Sequence, residues 1–245
     1  MGKVITITSR KGGVGKSTTL LNLAGVFSNL KKKVLIIDLD FYSSSISISL
    51  NLKNEKNIYN LVLDISNNKF SSIDDYVEHY NDYISILSSS TDPRINSQIE
   101  TRYLEQIINM ARHSVDVLLI DTSHILDHNN LVIFDNSDTI LNVMSNDPVD
   151  LVNTKNFINI ARDVEFPDLR ILLNESNSLE EKYFSDFDIR EFLEYNISYK
   201  LGSDFFVKTI DKYVLDGKIL TLNNVYKNNY KKLENIAIDL IKENT

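Results

Sequence analysis

The segment Arg10-Lys11-Gly12-Gly13-Val14-Gly15-Lys16-Ser17 decides the architecture. Three of the chain's seven glycines fall between residues 12 and 15. In front of them, Val4–Thr8 alternates apolar and β-branched residues and reads as a strand. Behind them, the stretch from Lys16 to Leu30 turns helical, with Leu20, Leu23, Ala24 and Phe27 on one stripe. A glycine-rich loop between a strand and a helix is the setting of a phosphate cradle. Glycines let the backbone turn tightly and aim its N–H groups inward as an anion nest, and the following helix adds its positive N-terminal end. Lys16 brings a full charge to this nest, and Ser17 brings a hydroxyl for Mg²⁺. The general pattern opens with a glycine; here that place is taken by Arg10.

Outward from this segment the chain alternates strands and helices. Val34-Leu35-Ile36-Ile37 runs apolar into Asp38, and Val115–Ile120 runs apolar into Asp121. Apolar runs without alternation suit strands covered on both faces, as in parallel α/β sheets. Tyr83–Leu87, Thr139–Met144 and Leu169–Leu173 read as further strands. Ser97–His113, Pro148–Asp163, Phe205–Leu215 and Tyr226–Lys242 read as helices. The expected fold is a doubly wound, mainly parallel α/β sheet with helices on both faces, forming one domain over residues 1–245.

Composition narrows the chemistry. The 245 residues carry a net charge of -8, so nucleic-acid binding would need a local basic patch. There is no cysteine, which excludes disulfides, thiolate-bound zinc and cysteine-held iron–sulfur clusters. No stretch reaches the roughly 20 apolar residues of a membrane span, and no leader pattern opens the chain. The expectation is a soluble, cytoplasmic protein.

Lys11 adds a second cation inside the loop. Two lysines held together repel unless several negative charges lie between them, which again points to phosphates. The run Lys11-Gly12-Gly13-Val14-Gly15-Lys16-Ser17-Thr18 resembles the deviant Walker A box of the ParA/MinD ATPases. That resemblance implies that these eight residues bind ATP with Mg²⁺. It also implies that Lys11 reaches across a dimer to the partner's ATP, so that the active form is an ATP-sandwich homodimer.

Asp38 and Asp40 follow the second strand, where carboxylates face the ligand crevice of a parallel sheet and alternation puts both on one side. The lesser alternative for both is a turn or helix-capping role. The resemblance gives Asp40 the orientation of the attacking water and Asp38 an indirect contact to Mg²⁺. Asp121 ends an apolar strand in the Walker B manner and is a further candidate for the metal. Asn174 closes a later strand and, by resemblance, contacts adenine; a strand-end turn role is its alternative. Leu201-Gly202-Ser203-Asp204 falls where relatives carry a base-contacting segment, which brings in Asp204. The residues after Asp40 and Asp121 depart from the family: Phe41-Tyr42-Ser43-Ser44 replaces Pro-Gln, and Thr122-Ser123-His124 replaces a proline-containing segment. His124 and His128, four apart, read as a surface pair more readily than as metal ligands.

Within the family, Ile46–Leu50, Asn57–Leu61 and the stretch from Asn136 to Lys155 look similar to the CpaE/TadZ branch, which localises pilus-assembly machinery. The implied activity is slow ATP hydrolysis driven by Lys11, Lys16, Mg²⁺ and Asp40, in a switch that recruits a partner of a polar or membrane-associated assembly. Three other readings stand beside it: a DNA-segregating ATPase, a membrane-cycling regulator and an ATP-binding scaffold. The apolar stripe of Tyr230–Ile241 reads as a core helix ahead of a membrane-binding one.

Overall fold

The computed structural model describes residues 1–53, 55–176 and 183–242. Its strands are β1 (Lys3–Thr8), β2 (Val34–Leu39), β3 (Glu78–His79), β4 (Ile84–Leu87), β5 (Val117–Thr122), β6 (Thr139–Met144), β7 (Asp168–Asn174) and β8 (Ile197–Leu201). They form one sheet in the order β3-β4-β2-β5-β1-β6-β7-β8. Every pairing is parallel except that of the short edge strand β3 with β4. Parallel neighbours need crossover connections, and helices supply them. These are α1 (Lys16–Asn29), α2 (Ile46–Ser49), α3 (Ile58–Ser66), α4 (Pro93–Asn96), α5 (Thr101–Arg112), α6 (His128–Asp135), α7 (Pro148–Asp163), α8 (Asp186–Leu193), α9 (Ile210–Leu215) and α10 (Tyr230–Leu240).

The doubly wound expectation therefore holds. β1, β2, β5 and β6 have apolar positions on both faces because both faces are covered. One face packs Ile5, Ile7, Ile36 and Leu119 against α1 and α10. The other face divides into two clusters, one under α3 and α5 and one under α7 and α8. The stripe Leu233, Ile236, Ala237 and Leu240 of α10 is buried in the first core, so its apolar face is already occupied.

Helix starts follow local chemistry. Asp147 caps α7 by accepting from the N–H groups of Val149 and Asp150, with Pro148 in the first turn. Asn57 and Asn60 form a reciprocal cap on α3. Three expected helices begin later than their apolar spacing suggests, and the one expected over Tyr226–Lys242 runs over Tyr230–Leu240. The helix expected over Phe205–Leu215 runs only over Ile210–Leu215, after a 3₁₀ turn at Ser203–Phe205. Phe205, Phe206 and Val207 are consecutive, yet all line one cavity. A helix would spread them about 100° apart around its axis. The helix expected from Ser97 starts at Thr101, because Asn96 is buried and its amide is committed to Ser90 and the Phe41 carbonyl.

Candidate nucleotide site

The candidate site lies at the C-terminal ends of three adjacent strands, β2, β5 and β1. This is where ligands bind in open parallel sheets. The loop from Ser9 to Gly15 leaves β1 and enters α1. Gly13 and Gly15 have φ of 78° and 91°, a left-handed conformation that favours glycine. A Cβ at Gly12 or Gly13 would meet nothing within 4 Å, so the loop has an open side. No acidic residue stands in the first turn of α1, and the orphan N–H groups of that turn face no opposing charge from their own helix.

Lys16 and Ser17 both turn to Asp121. The Lys16 ammonium donates to Asp121 Oδ1 and lies 3.5 Å from Asp40 Oδ2. Ser17 Oγ donates to Asp121 Oδ2 at 2.8 Å and accepts from Ser45 Oγ at 2.9 Å. Asp38, fully buried, accepts from the backbone N–H of Asp40 at 3.1 Å and of Ile46 at 3.4 Å. Asp40 also accepts from Ser43 N at 3.1 Å. Both readings of this aspartate pair are thus present at once: the carboxylates shape the turn after β2, and they stand beside Lys16.

Three buried carboxylates stand around one ammonium. Burial, with the Asp121 charge beside it, pushes the Asp38 carboxyl up to about 8. Burial also raises Asp121, while Lys16 and Ser17 hold it down. Burial works against the Lys16 charge, but Asp121 and then Asp40 and Asp38 outweigh it and raise its pKa. An excess of buried negative charge is relieved by a proton or by a cation. No group of three or more histidine or acidic side chains is set to hold a metal by itself among the described residues. Mg²⁺ takes few carboxylates and keeps water and phosphate oxygens as its other ligands. Ser17, Asp121 and, at one remove, Asp38 are the residues that would hold it. His124 lies in a bend and His128 opens α6; both are exposed and take no part.

Lys11 sits on the outer side of the loop, 39% exposed, in an ion pair with Asp147 at 3.0 Å. On the inner side of α1 a cavity of about 220 Å³ is lined by Thr18, Asn174, Leu201, Phe206, Val207 and Tyr226, among others. Mostly apolar walls with a few polar groups fit a flat heteroaromatic base. The Asn174 amide donates to the Val14 carbonyl at 2.8 Å, tying the cavity to the loop, and its oxygen accepts from Ser176, as a turn residue would. Asp204 departs from expectation. It is exposed, and it lies outside the cavity wall that the next three residues, Phe205 to Val207, provide. The 3₁₀ turn at Ser203–Phe205 directs Phe205 inward and leaves Asp204 in solvent.

Sequence reasoning missed Ser45, Asp147 and the aromatic wall of Phe205, Phe206 and Tyr226. Asp147-Pro148 carried a visible helix-start signal, but nothing in it announced a contact to Lys11.

The AAA domain family (AAA_31) matches residues 2–170 of the chain. The septum site-determining protein MinD of Synechocystis sp. is 28% identical over 121 residues, which is 49% of this chain and 45% of that protein. The tyrosine-protein kinase YwqD of Bacillus subtilis is 31% identical over 126 residues, 51% of each. The chain spans about half the length of these two curated relatives. Among solved structures, a ParA family ATPase from Chlorobium tepidum TLS superposes with a TM-score of 0.84 at 16% identity, covering 97% of this chain and 98% of that one. MinD from Pyrococcus horikoshii OT3, complexed with Mg-ADP, gives 0.81 at 18% identity, covering 98% and 96%. These two likenesses establish the fold. With the glycine loop, the acid-ended strands and the matched family in agreement, the chain belongs to the AAA_31 family, the ParA/MinD group of P-loop nucleotide-binding proteins.

Proposed function

We propose that the chain is a molecular switch that binds ATP with Mg²⁺, dimerises around it and hydrolyses it slowly to position or recruit a cellular assembly. One observation carries the reading. The loop presents two lysines in different states: Lys16 is buried, against Asp121 and Asp40, whereas Lys11 is more exposed and pairs with the partly exposed carboxylate of Asp147. A cation at the outer rim of the loop is placed to serve phosphates beyond its own chain. Mg²⁺ would neutralise charge on the phosphates. Lys16 would leave the carboxylates for the β- and γ-oxygens, and Asp40 would hold the attacking water.

The pilus or secretion-type process rests on the sequence resemblance of Ile46–Leu50 and Asn57–Leu61 to the CpaE/TadZ branch. The likenesses to MinD and to a ParA family ATPase support the switch and are equally compatible with septum placement or DNA segregation. The burial of the α10 stripe weighs against membrane attachment through that helix. We place the protein in the cytoplasm, brought to a pole or membrane by its partner.

A second reading, an ATP-binding scaffold with little hydrolysis, is favoured by Asp40 itself. Its carboxylate already accepts from Ser43 N and faces Lys16, which leaves less of it for a water molecule.

Light scattering with ATP and Mg²⁺, with ADP and without nucleotide tests both, with phosphate release followed in parallel. A dimer that forms with ATP, persists in Asp40→Ala and is lost in Lys11→Ala supports the switch, and slow phosphate release separates it from the scaffold. A monomer under every condition overturns the sandwich.

A further inference from the structure

Arg10 stands where the general phosphate-loop pattern has a glycine, and its side chain packs toward α7. Its guanidinium lies 4.5 Å from the centroid of the Phe157 ring. Its Nη2 donates to Thr8 Oγ1. Its Nε and Nη1 are buried and have no hydrogen-bond partner among the described residues. Burial pulls the guanidinium down to about 10, with Asp150 and Asp127 as the opposing charges.

Of the other buried atoms in that condition among the described residues, four belong to three residues near Arg10: Asp150 Oδ1, Thr154 Oγ1, and both Nδ2 and Oδ1 of Asn142. Topology brings their residues together. Asn142 of β6 is the register partner of Thr8 of β1. Ile140 and Met144, on the same face of β6, pack with Phe157 and Ile158 of α7, so Asn142 faces α7 as well. Asp150, Thr154 and Phe157 follow at spacings of four and three, which places them on one face of that helix. The second Asp150 oxygen is satisfied by Ser145, from its N–H at 2.7 Å and its hydroxyl at 2.9 Å. So the residues bearing unpartnered donors and acceptors of both kinds converge between two strand ends and one helix.

Buried polar atoms without partners are costly, and where donors and acceptors converge, ordered water commonly bridges them. A buried arginine is costly unless its charge is matched. Asp150 provides the matching charge. The backbone is engaged too: Asn153 Nδ2 donates to the Arg10 carbonyl at 3.5 Å, and Asp147 holds Lys11.

We infer that Arg10, Asn142, Asp150 and Thr154 line one buried, water-bridged chamber through which Arg10 braces the phosphate loop against α7, making Arg10 a positioning residue for the loop's phosphate cradle. The second half of this inference rests on the nucleotide-binding reading above; the first does not. The brace fixes the entry of the loop, as α1 fixes its exit. A loop held at both ends keeps its inward N–H groups in place for the β-phosphate.

Thermal unfolding and calorimetric nucleotide titration of the full chain test this, using the native protein, Arg10→Met, Asp150→Asn and the double variant. The double variant is expected to be more stable than the two single effects added together, because removing both charges leaves neither buried alone. The ADP dissociation constant of Arg10→Met is expected to rise about tenfold, while that of adenosine, measured by competition, stays within about twofold. Adenosine has no phosphate for the loop to hold. A merely structural arginine would weaken both ligands together. Additive single effects, an ADP affinity unchanged in folded Arg10→Met, or equal losses for ADP and adenosine would each overturn the proposal. If Arg10→Met does not fold, Arg10→Lys, which keeps the charge and loses the fork, carries the same titrations with the same expected split. If the native chain takes up no ADP, the nucleotide reading fails, and the stability coupling alone decides whether the brace exists.

Discussion

The ammonium of Lys16 donates to the carboxylate of Asp121, 105 positions further along the chain. Lys16 is 10% exposed and Asp121 is fully buried. Removing one member of a buried pair leaves the other charge uncompensated, at a cost of about 3–5 kcal/mol. Lys16→Met is therefore expected to lower the unfolding free energy by about that much, on top of any loss of ligand binding. Urea titration of the ligand-free protein gives the number. A change below about 1 kcal/mol would show that Asp121 is neutral without its lysine.

Asp38 sets a dependence on pH. Its carboxyl is raised from 3.8 to about 8, chiefly by burial. Between those values the folded chain binds a proton that the unfolded chain has released, so stability falls as pH rises through this window and levels off above about 8. In a metal chelator without nucleotide, unfolding midpoints taken from pH 5 to pH 9 should decline, and Asp38→Asn should flatten the decline. Mg-nucleotide affinity should move the opposite way, strengthening as the proton leaves.

The Lys11–Asp147 pair competes with any phosphate for Lys11. Its members are 39% and 28% exposed, so it contributes no more than about 1 kcal/mol. Asp147→Asn keeps an oxygen to cap α7 and removes the charge. Its ATP dissociation constant is expected to fall by about two- to fivefold at low salt, with the gain shrinking in high salt. A weakened ATP affinity in this variant would mean that Asp147 serves the site rather than restraining it.

At Gly25, α1 packs closely against the 3₁₀ turn over Leu220–Asn223. A Cβ there would lie 2.2 Å from Thr221 Oγ1 and 2.8 Å from Ile219 Cγ2. Thr221 is itself anchored, its N–H and hydroxyl donating to Asn22 at 3.3 and 3.0 Å. Gly25→Ala gains helix propensity but forces this contact apart, for a net loss of about 1–3 kcal/mol. Thermal unfolding would register it as a lower Tm, and an unchanged Tm would show that the turn yields freely.

Much of this architecture is legible in the residues. Uninterrupted apolar runs such as Val34–Ile37 and Val117–Ile120 announce strands covered on both faces, and the acids that end them announce the crevice. The glycine run marks the turn from β1 into α1, and Pro148–Asp163 matches α7 residue for residue because Pro148 marks its start. Other features depend on partners far away in sequence. β8, Ile197–Leu201, is a short edge strand buried only at Leu201, and it shows no clean period. Phe205 and Phe206 carry helical spacing, but the cavity overrides it. Asp204 looked like a base contact by its place in order, and a local turn sends it to solvent. That Arg10 would pair its field with Asp150 is not a matter of spacing at all; it follows from α7 lying across the ends of β1 and β6.

Asp38 and Asp121 are register partners on neighbouring parallel strands. Adjacent strands stand about 4.8 Å apart, and a sheet paired on both sides cannot spread to ease two charges. β2 is flanked by β4 and β5, and β5 by β2 and β1, so both acids are fixed as marks on a ruler are fixed. The spacing of the backbone thus holds two buried carboxyl groups at a set distance, and the proton that burial and the Asp121 charge keep on Asp38 eases the repulsion that the sheet itself cannot relieve.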